Sequence, residues 1–234
     1  MPTRLIPYVK VLVHLLALAP FLYLLNSYRT GALLLDADPI NTITHFTGNW
    51  ALWMLLVSLA ITPLRRLHPA LSNLIRFRRM LGLYAFFYAT LHLATYVFLF
   101  SGYDIQAAFA GLRAGRIGAI FTQAQLIWPT IDDDILKRRF IQVGFLAWLI
   151  LLALAITSPM FMLRRMGGKN WQRLHRLVYV AAGAGCIHYW WLVKRGVRSP
   201  LPDTLVLTAL LLARVAWLLL KRRPKLSTQA TRNS

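Results

Sequence analysis

Six runs of apolar residues, each about long enough to cross a bilayer, limit what this chain can fold into more than any other feature. They cover residues 11–28, 46–64, 80–100, 140–163, 177–193 and 204–220. A helix needs about 20 apolar residues to span roughly 30 Å of hydrocarbon. In hydrocarbon every backbone N–H and C=O must be bonded internally, and the runs lack the alternation of a barrel strand. The expected fold is therefore all-α, a polytopic membrane bundle of about six transmembrane helices. The first run ends on Asn26-Ser27-Tyr28-Arg29 rather than on small residues, so it reads as a membrane helix and not as a cleaved signal.

The chain carries 27 Lys and Arg against 7 acids, all of them Asp, for a formal charge of +20. A nucleic-acid partner would call for a basic stripe on a soluble domain. Here the basic residues lie between the apolar runs and read as positive-inside topology signals, so no nucleic acid is expected. With the N-terminus cytoplasmic, Arg65, Arg66, Arg76, Arg78 and Arg79 share one face with the basic residues of 164–176 and of 221–232. That face has no acid, and all seven Asp fall on the other. Both termini are then cytoplasmic. The expected organisation is a short N-terminus (1–10), a membrane domain (11–220) and a basic polar tail without fixed structure (221–234).

The longest loop, 101–139, faces outward. Within it 107–121 reads as an amphipathic interfacial helix with Arg113 and Arg116 toward water, and Trp128-Pro129 with Asp132-Asp133-Asp134 is expected to break it from the next span. A partner-docking surface and a plain solvated loop both suit this segment. No soluble flavin or nicotinamide domain is expected after the last span. The Ala182-Gly183-Ala184-Gly185 stretch lies inside a run and follows no strand, so it is not a dinucleotide fingerprint. The one cysteine, Cys186, excludes an intrachain disulfide.

Ionisable residues inside membrane spans are costly and point to function. His92 and His188 lie in spans that both run outward, at similar depth, and two facing imidazoles can ligate one haem iron. Ala184 and Gly185 share the His188 face and offer close approach to a flat macrocycle, with Tyr88, Tyr96, Tyr189 and Trp190 as walls. Cross-helix bonding with simple packing is the competing role. His175 lies about 20 Å before His188 along an ideal helix but about 140° away around it. It suits either a second haem, with His14 as a conceivable partner ligand, or a quinone or flavin site at the cytoplasmic edge. His45 reads as interfacial and His68 as solvated. Arg214 suits a haem propionate or snorkels to the interface; Arg76, Arg78 and Arg79 suit an anion such as a flavin phosphate, or topology alone.

Several segments together resemble one family. They are Asp38-Pro39, His45-Phe46-Thr47-Gly48, Ile61-Thr62-Pro63-Leu64, Arg78-Arg79-Met80-Leu81-Gly82-Leu83, Thr90-Leu91-His92-Leu93, Trp171-Gln172-Arg173-Leu174-His175 and Ile187-His188-Tyr189-Trp190. Over essentially its whole length the chain resembles the MsrQ (YedZ) family, which carries a ferric-reductase-like transmembrane domain. The resemblance implies a multi-pass protein of the bacterial inner membrane that takes electrons from the quinone pool. It passes them through haem b to a periplasmic molybdopterin partner, MsrP, that reduces methionine sulfoxide in proteins. It also implies FMN, and haem iron at His92, His175 and His188. Arg78 or Arg79 stands where wider relatives have a fourth histidine, so one haem or two both remain open. Another acceptor such as ferric iron, and a cofactor-free anchor or transporter, are the alternatives.

Overall fold

The computed structural model describes residues 3–193 and 198–222. Among these, ten α-helices and no strand occur: α1 (Ile6–Arg29), α2 (Pro39–Leu67), α3 (Ile75–Thr95), α4 (Ile105–Arg113), α5 (Gly118–Lys137), α6 (Arg139–Ile156), α7 (Met160–Met166), α8 (Gly168–His175), α9 (Val178–Leu192) and α10 (Leu201–Arg222). Five helical stretches are long and apolar enough to cross a membrane: α1, α2, the stretch Pro69–Phe100 that contains α3, α6, and α10. The fifth run of the sequence folds as α9, whose 15 residues extend about 22 Å. Most of the tail expected at 221–234 lies outside the described residues; Lys221 and Arg222 finish α10.

The core is built by α2, α3, α6 and α9. Helix α2 packs most extensively on α3, and α6 on α9; α3 and α6 join the two pairs. Leu59, Ala85, Tyr88, Ala181 and Ala182 are almost wholly enclosed there. Large apolar side chains of α1 and α10, such as Leu15, Leu16, Leu212 and Leu219, point outward, which is the arrangement lipid selects.

Tyr88 holds α1 to this core. Its hydroxyl donates to the Ala17 carbonyl at 2.7 Å and accepts from the Phe21 N–H at 3.2 Å. A straight helix joins those two backbone groups directly, so the phenol is inserted into the ladder beside Pro20.

Local chemistry sets the ends. Asp38 caps α2 by accepting from the Asn41 N–H, with Pro39 in the first turn, so α2 starts before the apolar run and places His45 inside the helix. Three expectations are corrected. The interfacial helix read over 107–121 is split, because Gly115 takes a left-handed turn (φ +73) between α4 and α5. Helix α5 then runs through Trp128-Pro129 and the three Asp instead of breaking there. Proline removes one bond, while the Asp133–Lys137 and Asp134–Arg138 pairs support the last turns. The run 140–163 is also interrupted. The Thr157 and Ser158 hydroxyls turn back onto the Ala153 and Leu154 carbonyls, and Pro159 ends α6.

Candidate functional site

The imidazoles of His92 on α3 and His188 on α9 face each other across the core, ring centres 5.9 Å apart and planes at 84°. Each ring is fixed in the same way. The Nδ1 of His92 lies 3.0 Å from the Thr44 carbonyl and that of His188 lies 2.7 Å from the Phe140 carbonyl. A carbonyl only accepts, so each Nδ1 carries the proton and each Nε2 keeps a free lone pair. That is the tautomer a metal-ligating histidine needs.

Glycines make the rooms. A Cβ at Gly48 would sit 3.1 Å from the His92 ring, and one at Gly144 would sit 2.6 Å from His188 Nδ1 and 2.8 Å from its Cε1. Gly48 follows Thr44 by one helical turn on α2; Gly144 follows Phe140 by one turn on α6. Both histidines lie 48 residues after their accepting carbonyls. The same glycine, carbonyl and imidazole device thus occurs once in the α2–α3 pair and once in the α6–α9 pair.

The donor set fits haem. With a metal–imidazole bond of about 2 Å, an ion gripped from both sides separates the ring centres by about 6 Å, close to the spacing seen. Among the described residues no group of three or more His, Cys, Asp or Glu side chains gathers to hold an ion. Two neutral imidazoles suit an iron whose other ligands come from a macrocycle.

The polar tips of the expected walls bond neighbouring elements. The Tyr96 hydroxyl donates to Asp134, Tyr189 donates to the Arg198 carbonyl, and the Trp190 indole donates to Thr204. Gly185 packs beside Leu52, and Tyr88 is committed to α1.

His175 is not brought to this pair. It ends α8, its ring stacks on Trp171 (3.8 Å, 23°), and its Nε2 meets the Thr157 hydroxyl at 3.2 Å. Burial, then the charges of Arg78 and Arg79, hold its pKa below the usual imidazole range, against the opposing Thr157 bond. His14 bonds the Tyr84 hydroxyl at 2.7 Å, and His68 caps the turn at Ala70. The ring of His45 lies 6.4 Å from that of Tyr189, where both line a pocket of about 400 Å³ with Asn41, Thr42, Asn49 and Arg198. Arg214 reaches inward: its guanidinium lies 4.6 Å over the Tyr179 ring and donates to the Leu59 carbonyl at 3.1 Å.

Gly144, Thr44 and Phe140 escaped the sequence argument, as did the role of Gly48. Their signal is present in the numbering, because each glycine precedes its histidine by the same interval.

Residues 47–186 match the family described as ferric reductase like transmembrane component. A protein of Xanthomonas axonopodis pv. citri is 43% identical over 229 residues, covering 96% of this chain and 92% of its own. One of Xanthomonas oryzae pv. oryzae is 44% identical over the same shares, and one of Herminiimonas arsenicoxydans is 42% identical over 92% and 87%. All three bear the name protein-methionine-sulfoxide reductase heme-binding subunit MsrQ. No solved structure matches. With that identity running almost end to end, and with the ferric-reductase-like segment spanning α2 to α9, this chain is a membrane protein that belongs to the MsrQ family.

Proposed function

We propose that this chain is the haem-carrying electron-transfer subunit of a methionine sulfoxide reductase system in the bacterial inner membrane. The observation that carries the reading is the facing His92–His188 pair, each imidazole oriented by a backbone carbonyl so that Nε2 is left as a ligand. Haem b held there by His92 and His188 would supply one-electron chemistry, its potential tuned by the two imidazoles and the low-dielectric bundle. The names of the relatives, heme-binding subunits, support the cofactor.

The chain's own residues divide the work by position. His92 and His188 hold the iron, while Gly48 and Gly144 let the rings seat. His175, with Arg78 and Arg79 close by in charge, lies on the arginine-rich face that the topology signals assign to the cytoplasm. There it serves either a second haem or the donor site, with Arg78 and Arg79 taking an FMN phosphate. The electron donor is the quinone pool, and the acceptor is a periplasmic molybdopterin subunit like MsrP.

The test is a reduced-minus-oxidised spectrum with a haem-to-protein ratio on the parent and on His92→Ala, His188→Ala and His175→Ala. A b-type signal in the parent that collapses in the first two variants is expected. A colourless parent after expression with haem supplied would sink the reading.

A further inference from the structure

Of the four buried side-chain N or O atoms without a hydrogen-bond partner among the described residues, three belong to Thr62, Arg65 and Arg214. These are the Thr62 Oγ1, the Arg65 Nε and the Arg214 Nε, all able to donate. They stand at the arginine-rich end of the bundle. Arg214 of α10 bonds the Leu59 carbonyl of α2, one turn before Thr62. Arg78 of α3, tied to α2 through the Ser58 bond to its carbonyl, feels the charge of Arg65, and Arg214 feels those of Arg78 and Arg66. Arg66 lies 5.2 Å over the Trp217 ring of α10.

Arg65, Arg66, Arg78 and Arg214 therefore share one end of the bundle, and the acids lie elsewhere. Asp38 caps the far end of α2, Asp203 sits in the first turn of α10, and Asp104 and Asp132–Asp134 belong to the connection after α3. Like charges gathered at one end repel, and buried donors left unbonded are costly. An anion rich in acceptor oxygens removes both penalties.

We propose that the arginine-rich ends of α2, α3 and α10 bind the phosphate of an anionic membrane phospholipid. The surroundings point to lipid as the source of that phosphate. Along the same turns the exposed neighbours are apolar, namely Leu64, Leu67, Val215 and Leu218, with half-exposed Trp217 beside them. Acyl chains have a surface to lie on there, and a basic pocket between helices at a membrane boundary suits a headgroup. A soluble phosphate ester would meet the same arginines but leave that surface bare. This site does not depend on His92 and His188 holding haem; it gives Arg78 and Arg214 to a lipid phosphate in place of an FMN phosphate and a propionate.

The experiment compares the purified chain in nanodiscs of phosphatidylcholine with and without phosphatidylglycerol, by thermal midpoint and by native mass spectrometry of retained lipid. The parent retains phosphatidylglycerol and melts higher with it. Arg65→Gln and Thr62→Val hold it less, Arg65→Gln by roughly tenfold or more, the loss expected for one charge-assisted bond. Helicity by circular dichroism and a monodisperse profile establish folding, and the exposed Arg66→Gln provides the same comparison if Arg65→Gln is unstable. Equal phosphatidylglycerol retention by parent and variants overturns the site, as does failure of the parent to distinguish the two lipids. Stabilisation by millimolar glycerol phosphate in phosphatidylcholine alone, equal to that of phosphatidylglycerol, overturns the lipid source in favour of a soluble one.

Discussion

Replacing Gly144 with alanine puts a methyl group 2.6 Å from His188 Nδ1, where ordinary contact begins at 3.4 Å. Something must move by about 0.8 Å, and the options are few. The Nδ1 is bonded to the Phe140 carbonyl of the same α6 helix, so sliding the ring away from Gly144 stretches that 2.7 Å bond. Backing α6 away instead loosens the helix pair. Overpacking of this kind costs about 1–3 kcal/mol, and ligand distances at a metal tolerate only about 0.2 Å. The expected result is a haem affinity lower by about 10- to 100-fold, since each 1.4 kcal/mol is about tenfold. Gly48→Ala is the internal control. Its methyl sits 3.1 Å from His92, so a shift of about 0.3 Å relieves it and the loss is several times smaller. Haem-to-protein ratios after titration with haem, read with the reduced spectrum, measure both. Full haem loading with an unshifted spectrum in Gly144→Ala, or a larger loss in Gly48→Ala, would refute the claim that these glycines seat the two rings.

Two further predictions follow from the cytoplasmic edge and from α1. The pKa of His175 is lowered in the folded chain, by burial first and by Arg78 and Arg79 next. The folded state then binds fewer protons than the unfolded one near the unfolded value of 6.5. Stability is therefore complete above that value and falls as pH drops from there toward the lowered folded pKa. A thermal midpoint that declines between about pH 7.5 and 5.5 in the parent, and declines less in His175→Gln, is expected; parallel declines would count against it. Tyr88→Phe removes the hydroxyl that bridges Ala17 and Phe21. A loss of about 1–3 kcal/mol is expected from the exposed backbone pair, read as a lower midpoint in denaturant, with haem content per folded molecule unchanged.

Much of this fold is written in length and periodicity. The apolar runs place α1, α2, α3, α6 and α10 because hydrocarbon leaves a chain no other backbone solution. The connections are less legible. Pro129 reads as a breaker, yet α5 continues, because a single missing N–H is a local cost that two Asp–basic pairs offset. The run to residue 163 reads as one helix, yet the Thr157 and Ser158 hydroxyls compete for its last carbonyls ahead of Pro159. At the site, His92 and His188 stand out because imidazoles are rare at such depth. Thr44 and Phe140 do not, because their contribution is a carbonyl that every residue possesses. Gly144 declares itself only when the ring beside it is known.

The repeated glycine–carbonyl–imidazole device has a consequence for how such a protein matures. Each helix pair orients its own imidazole without help from the other, since Thr44 and His92 belong to one pair and Phe140 and His188 to the other. Haem held by His92 and His188, as proposed, would then rivet two helix pairs that each bring one ligand. Its binding would close a joint along the seam where α3 meets α6 and α2 meets α9.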